Sequence, residues 1–314
     1  MALSVVIPTF NERDALTGCL DKLAEHAPSM EIIVVNGPST DGTSGVIREH
    51  GDVDVIIDIT SRNINLARNV GLREATSNQV AILAPTSRIG PSWYGAVIET
   101  LTGAADAVSG PIRSHGEQPP DASRFGIERS GELTLVGGNL ALTRAAVTAL
   151  DGFDETLTSA GTADLARRIR GLGLQVVWHP DMTVGHTDGV GAPPMRNRDG
   201  YVATWERPNE PNWGQRYRSQ CYRWAKNDGV GPRFVLRVLS TATADGFRSA
   251  TDVMRGNGTP SRWFGNGIAV ISNAVQGSIA GYRARRRDPT ETRNPNGLSR
   301  TGAEGAIVAV YDHR

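Results

Sequence analysis

Near the start of this 314-residue chain, a run of apolar residues that stops at a polar, proline-bearing turn occurs twice. Val5-Val6-Ile7-Pro8-Thr9-Phe10-Asn11-Glu12 reads as a β-strand passing into such a turn. Ile32-Ile33-Val34-Val35 reads as a second strand that stops at Asn36, before the small-residue turn Gly37-Pro38-Ser39-Thr40-Asp41-Gly42-Thr43. Short continuous apolar runs fit strands buried on both faces, so a parallel sheet covered by helices is expected. The intervening segments agree. Ala15 to His26 carries Leu16, Leu20 and Leu23 on one helical face, and Gly42 to His50 and Ile64 to Ala75 also read as helices. Val53 to Ile59 and Val80 to Leu83 read as the third and fourth strands. Strands alternating with helices imply right-handed crossovers, with the binding crevice beyond the strand carboxyl ends, where Thr9, Asn36 and Ala84 lie.

With 39% hydrophobic residues, the chain can bury one large core or two moderate ones. Its 33 Lys and Arg balance 33 Asp and Glu, so no net field steers it toward nucleic acid or anionic lipid, although Arg283 to Arg287 form a local basic cluster. That cluster reads as a solvated helix end. Cys19 and Cys221 have no metal-ligand or disulfide-framework spacing, which fits a reducing cytoplasm. The first strand begins within a few residues of the start, so no signal segment is expected. Ile268 to Tyr282 is apolar but interrupted by Ser272, Asn273 and Gln276, and it falls short of the roughly 20 residues a membrane span needs.

Further along, Ser92 to Gly103 reads as a helix and Ala107 to Gly110 as a strand. The polar stretch Ser114 to Gly131 reads as a long loop able to cover a site. Leu135 to Leu142 reads as a strand in which Gly137 and Gly138 allow close approach. Ala163 to Leu172 is helical, Gln175 to Trp178 and Met182 to His186 are strands, and Trp213 to Lys226 and Gly246 to Met254 are helices. The tail Ala306 to Tyr311 is a candidate strand, and one so placed often pairs with a neighbouring chain, giving a homo-oligomer.

Five motifs in order make the chain, from about Ser4 to His186, resemble family 2 glycosyltransferases, nucleotide-sugar enzymes of the GT-A fold. They are Pro8 to Glu12; Ser39-Thr40-Asp41-Gly42-Thr43; Ala67-Arg68-Asn69-Val70-Gly71 with Ala75; Gly137-Gly138-Asn139-Leu140-Ala141; and Gly152-Phe153-Asp154-Glu155. The resemblance implies an α/β, Rossmann-like, mostly parallel mixed sheet with flanking helices and a helical C-terminal extension. It divides the chain into a nucleotide-binding half (1–112), an acceptor-side half (113–195), the helical extension (196–286) and a loose tail ending in a candidate strand (287–314). It assigns donor binding to Pro8, Thr9, Phe10, Glu12, Asn36, Arg68, Thr86, Gly138 and Asn139, with UDP or GDP as the carrier. Asn36 replaces an Asp that accepts a hydrogen from the base in such enzymes, so it either reads a different base edge or closes an Asx-type turn. Among the later residues, His186 matches the family histidine that reaches the diphosphate. Gln220-Cys221-Tyr222-Arg223-Trp224 fits the Gln-x-x-Arg-Trp pattern of processive relatives, and Trp205, Arg218, Arg223 and Trp224 are the acceptor-side candidates.

The departures carry mechanistic weight. Where the family places its metal-binding Asp-x-Asp, this chain has Ala84-Pro85-Thr86, and the expectation is that no divalent metal serves the donor. In the family's Glu-Asp-x-Asp-Leu motif, the position of the general base holds Thr162. Asp164 survives, either as a catalytic group or as a helix cap, and His186 and Asp164 are the catalytic candidates. Asp154, Glu155 or Asp164 could also swing in as base, and Asp41 or Asp106 could ligate a metal from a shifted position. A thiol with pKa near 8.5 needs less help than an alcohol, so the expected acceptor is a thiolate or another self-ionised small molecule in specialised metabolism such as antibiotic biosynthesis. The competing expectation is a non-catalytic module that binds a nucleotide sugar or a partner.

Overall fold

The computed structural model describes residues 2–27, 29–114, 135, 137–157, 161–186, 213–254, 260–287, 294, 297–300 and 305–314. Two compact units are present. The first comprises Met1–Glu155, Gly161–Pro208 and Asn296–Arg314, and the second Thr156–Ala160 and Asn209–Pro295.

The first unit follows the alternation read from the sequence: β1 (Leu3–Thr9), α1 (Arg13–His26), β2 (Glu31–Asn36), α2 (Thr43–Glu49), β3 (Val55–Ile59), α3 (Ile64–Glu74) and β4 (Gln79–Leu83). It continues through β5 (Ser87–Ile89), α4 (Trp93–Thr102), β6 (Ala107–Ser109), β7 (Ile112–Ser114), β8 (Asn139–Thr143), α5 (Arg144–Leu150), α6 (Gly161–Gly171), β9 (Val176–Trp178), β10 (Val184–His186) and β11 (Ile307–Asp312). Eight strands form one mixed sheet in the order β11-β3-β2-β1-β4-β8-β6-β9, and β5, β10 and β7 form a small second sheet. Strand β1 runs parallel to both β2 and β4, with Thr9 opposite Asn36. The chain passes from β1 outward to β3 and then returns to β1's other side as β4, so the order reverses at β1 and β4 and opens a crevice at their carboxyl ends.

Period-two alternation divides the strand residues between two core layers. Val6, Ile33, Val35 and Ile57 face Val70 and Leu72 of α3, whereas Val5, Ile7, Ile32 and Val34 face Leu16, Leu20 and Leu23 of α1 and Trp93 of α4. Gly71 lets α3 lie directly on the sheet. A Cβ there would stand 2.3 Å from Cγ1 of Val6 and 3.2 Å from Cγ2 of Val35.

Several sequence expectations are corrected. Within the Leu135 to Leu142 segment the described strand begins at Asn139, because Gly137 and Gly138 occupy a turn before β8. Strands β5 and β7 and helix α5 had no sequence signal. The tail strand does not need a neighbouring chain: β11 pairs antiparallel with β3 of the same chain, Tyr311 opposite Ile56. Beyond β11, the Arg314 guanidinium donates at 3.0 Å to Oε1 of Glu31, a carboxylate buried at the start of β2. The Ser114 to Gly131 loop falls almost wholly outside the described residues, as does Trp205.

In the second unit, α7 (Trp213–Asp228), α8 (Pro232–Met254) and α9 (Pro260–Arg287) replace the shorter helices read from the sequence. Helices α7 and α9 pack backbone to backbone. A Cβ on Gly277 would lie 2.2 Å from the Arg218 carbonyl oxygen, and one on Gly281 would lie 2.3 Å from that of Tyr222. Tyr217, Cys221 and Ala274 form a small core against which Phe234, Val238 and Ala242 of α8 pack at one-turn spacing.

Gly71→Ala is expected to cost about 1–3 kcal/mol by overpacking, read as a lower urea midpoint with an unchanged slope. Glu31 supplies a pH test. Burial disfavours its charge, but hydrogen bonds from Ser4, from the Thr76 amide and hydroxyl and from Arg314 outweigh burial and hold the carboxyl below its ordinary value. A depressed carboxyl stabilises the fold above the unfolded-state pKa of about 4.3 and loses that contribution as pH falls through the folded value. Urea midpoints should therefore decline on acidification below about pH 4–5, and Glu31→Gln should flatten that decline.

Candidate active site

The turns that follow β1 and β2 are tied to each other. Asn11, in the left-handed region at φ 55°, donates its amide to Ser39 Oγ at 2.9 Å and accepts from the Thr40 amide at 2.8 Å. The Glu12 amide donates to Thr43 Oγ1 at 3.1 Å, and the Arg13 amide donates to Asp41 Oδ2 at 3.1 Å. Asp41 also accepts from the amide and hydroxyl of Thr43. Burial opposes charge on Asp41, but these donors prevail and lower its pKa. Its oxygens serve the start of α2, so it offers no displaced metal ligand.

Across the crevice, the turn at Gly137 and Gly138 meets the tip of β4 and the N-terminal half of α3. The Gly138 carbonyl accepts from the Ala84 amide at 3.2 Å and from Ser87 Oγ at 3.1 Å. A Cβ on Gly138 would stand 2.9 Å from that of Ala84, and one on Gly137 would stand 2.4 Å from Thr162 Oγ1. Arg68 reaches this turn from α3, donating Nη2 to the Gly137 carbonyl at 3.3 Å and Nη1 to Asn65 Oδ1 at 3.1 Å. Its guanidinium lies 4.9 Å from the centroid of the Phe153 ring. Arg68 is 8% exposed, its Nε has no hydrogen-bond partner, and among the described residues no carboxylate pairs with it. Burial lowers its pKa to about 10, which leaves it charged at neutral pH.

The structure thus brings Arg68, Gly138 and Thr86 to one rim, with Thr9 at the neighbouring strand end. Thr9 Oγ1 is buried without a partner, and Thr86 is buried in the turn after Ala84. Pro8 lies opposite Val35 within β1. Phe10 carries the Arg62 guanidinium 5.0 Å from its ring centroid, and Glu12, also buried, accepts from the Phe10 amide at 3.4 Å.

Two of the donor-binding candidates, Asn36 and Asn139, have their side chains engaged within the protein. Both Asn36 amide hydrogens are used, toward Ser44 Oγ at 2.9 Å and Asp58 Oδ1 at 2.8 Å, while its oxygen accepts from Ser39 Oγ. Asn36 therefore closes the turn after β2 and has no hydrogen to offer a base. Asn139 is fully buried. It accepts from the Trp93 indole at 2.9 Å and donates to the Met182 carbonyl at 2.6 Å, bracing β8 against the segment before β10.

Asp164, a catalytic candidate, is engaged in the same way. It is fully buried inside α6, not at the cap, and accepts from Arg168 Nε at 2.9 Å. Arg168 in turn donates to the carbonyls of Leu150 and Gly152. A carboxylate held this way is a brace for the 150–152 turn. Glu155 accepts from Asn69 Nδ2 at 2.9 Å, Asp154 is fully buried, and Asp106 accepts from the Gln175 amide at 2.8 Å. His186 ends β10 opposite Ser87 and Ser114, and its side chain lies outside the described residues. Arg218, Arg223 and Trp224 stand on α7 of the second unit. Cys19 and Cys221 are both buried, which raises their thiols to about 12 and about 11 and leaves neither as a nucleophile.

Arg88 had no sequence signal. It donates to the carbonyls of Pro85 and Ser87 at 3.3 and 3.1 Å and lies against Gly18 of α1, where a Cβ would stand 2.5 Å from its Nη2. It holds the 84–87 turn in place, and no family motif marks it.

Comparison with known proteins gives concordant results. Residues 4–136 match the model for glycosyl transferase family 2. The glycosyltransferase GlyA of Streptococcus pneumoniae is 29% identical over 85 residues, a match spanning 26% of this chain and 12% of that protein. The mannosyltransferase PcManGT of Pyrobaculum calidifontis, in complex with GDP-Man and Mn²⁺, superposes with a TM-score of 0.53 at 19% identity, covering 88% of this chain and 86% of that one. S. aureus TarS 1-349 in complex with UDP-GlcNAc superposes with a TM-score of 0.57 at 15% identity, covering 91% and 92%.

The expectation that no divalent metal serves the donor is corrected by the PcManGT complex, which holds Mn²⁺ together with its nucleotide sugar. In this chain the tip after β4 carries Ala84, Pro85 and Thr86. Among the described residues, no group of three or more His, Cys, Asp or Glu is placed to hold a metal ion, so these side chains do not form a carboxylate cage. Residues 4–136 thus carry the sequence pattern of glycosyl transferase family 2, and the architecture is the GT-A fold of these solved structures.

Proposed function

We propose that the chain transfers a sugar, with inversion, from a UDP or GDP donor to a small-molecule acceptor that ionises on its own, a thiol being the best match. The observation that carries the donor half is Arg68. A buried guanidinium without a carboxylate is costly unless an anion completes its surroundings, and a diphosphate does so bidentately. It lies at the crevice where doubly wound sheets bind their ligands, beside the turn whose Gly137 carbonyl it holds. PcManGT and TarS, which share the fold, are described with GDP-Man and UDP-GlcNAc.

The acceptor half rests on the state of the carboxylates. Thr162 occupies the position of the base, Asp164 is committed to Arg168, and Glu155 is committed to Asn69. A hydroxyl nucleophile would find no free carboxylate among these to take its proton. A thiolate needs none: its sulfur attacks the anomeric carbon as the bond to the diphosphate oxygen breaks, the nucleoside diphosphate leaves, and Arg68 faces the charge that develops on it. A second reading, a module that binds nucleotide sugar without transferring it, is favoured by the same committed carboxylates.

Titration calorimetry with UDP and GDP, in buffer containing Mn²⁺, should show that Arg68→Met weakens nucleotide binding by about tenfold or more. Unchanged affinity would remove Arg68 from the donor site. In turnover assays with a panel of thiols and sugar alcohols, thiols should be glycosylated faster, with a rate that rises with pH toward the thiol pKa of about 8.5. Equal rates with alcohols would overturn the acceptor assignment, and nucleotide-sugar binding without consumption would establish the module.

A further inference from the structure

Helix α9 has two unlike faces. Its inner side is made of small residues: Ala274, Gly277, Gly281 and Ala284 are buried. On its outer side Ile271, Val275, Ile279 and Tyr282 are 68, 54, 47 and 47% exposed. At about 100° per residue these four and Arg286 fall within an arc of about 80°, and they run about 22 Å along the axis. The stripe is therefore a continuous apolar band ending in a cation. Arg286 sits 6.0 Å from the centroid of the Tyr282 ring, and Arg283 and Arg287 flank it, both exposed.

The charge on this helix has one sign. Pro260–Arg287 contains five arginines and no Asp or Glu. Arg285 is used internally, donating to the carbonyls of Lys226 and Asn227, whereas among the described residues no carboxylate pairs with Arg283, Arg286 or Arg287. An exposed apolar band, an aromatic at its polar end and a group of unpaired arginines beyond it are the features of a helix lying in a bilayer interface, its apolar side among acyl chains and its cations among headgroup phosphates. No helix among the described residues is long and apolar enough to cross a membrane, so this helix would lie on the bilayer surface. A second copy of the chain fits less well. It would bring the same acid-free helix, with no carboxylate on it to meet these arginines.

We propose that the outer face of α9, Ile271, Val275, Ile279 and Tyr282 with Arg283, Arg286 and Arg287, docks on an anionic phospholipid bilayer. Docking requires no donor chemistry, so vesicle binding and sugar transfer are read separately. The full chain should co-float with vesicles of equimolar phosphatidylglycerol and phosphatidylcholine but bind vesicles of phosphatidylcholine alone at least about tenfold more weakly. Salt at about 1 M should release it from the anionic vesicles. The combined change Arg283→Ser, Arg286→Ser, Arg287→Ser and the separate change Ile271→Ser, Val275→Ser, Ile279→Ser should each reduce binding at least about tenfold while leaving the circular dichroism spectrum unchanged. If the triple apolar variant misfolds, Ile279→Ser alone is the substitute, with a smaller loss expected. The proposal is overturned by failure to bind anionic vesicles, by full binding of the arginine variant, or by a vesicle-free wild-type dimer that the apolar variant abolishes.

Discussion

The crevice of this protein depends on hydrogen bonds between two turns that are distant in sequence. Asn11 holds Ser39 and Thr40, and the amides of Glu12 and Arg13 are received by Thr43 and Asp41. Each bond contributes modestly, but together they satisfy backbone groups that would otherwise compete for partners at the open ends of β1 and β2. The left-handed backbone at Asn11 belongs to this arrangement, since asparagine tolerates that region better than most residues. The turn that follows Thr9 and carries Phe10 and Glu12 is held by these bonds to its neighbour.

The sheet was legible because it is physically simple. Strands buried on both faces must be apolar throughout, and the runs at Val5, Ile32 and Val80 could fold in few other ways. Strands β5 (Ser-Arg-Ile) and β7 (Ile-Arg-Ser) each hold a single apolar residue, too little pattern to be seen, whereas the equally short β6 and β9 are more apolar; the two glycines before β8 look the same in a strand as in a turn. Helix α8 was half missed because its packing face, Phe234, Val238 and Ala242, is interleaved with exposed Val235, Leu236 and Leu239, which blurs the expected two-sided pattern.

The candidate site was legible as a group of motifs and less so in the part each side chain plays. Motifs located Arg68 and the turn at Gly137 and Gly138, but a motif cannot distinguish an asparagine that binds from one that braces. Asn36 and Asn139 look like ligand residues in sequence and prove to have their hydrogen-bonding capacity directed inward. Asp164 shows the same for charge: its partner, Arg168, is four residues away on the same helix, a spacing visible in the sequence, yet only burial reveals that the pair is closed to solvent. The divalent-metal expectation failed for a different reason, since it inferred a cofactor's absence from the loss of one motif.

Strand β11 pairs with β3 although some 250 positions separate them. On a growing polypeptide β3 therefore emerges long before its partner, and one side of the sheet stays open while the intervening chain is synthesised. Loop-closure entropy makes that final pairing slow relative to the local crossovers around it. The nascent protein thus passes through a stage in which a nearly complete sheet offers an unpaired apolar strand to any other chain nearby, and the speed of that last annealing step governs how much of it escapes aggregation.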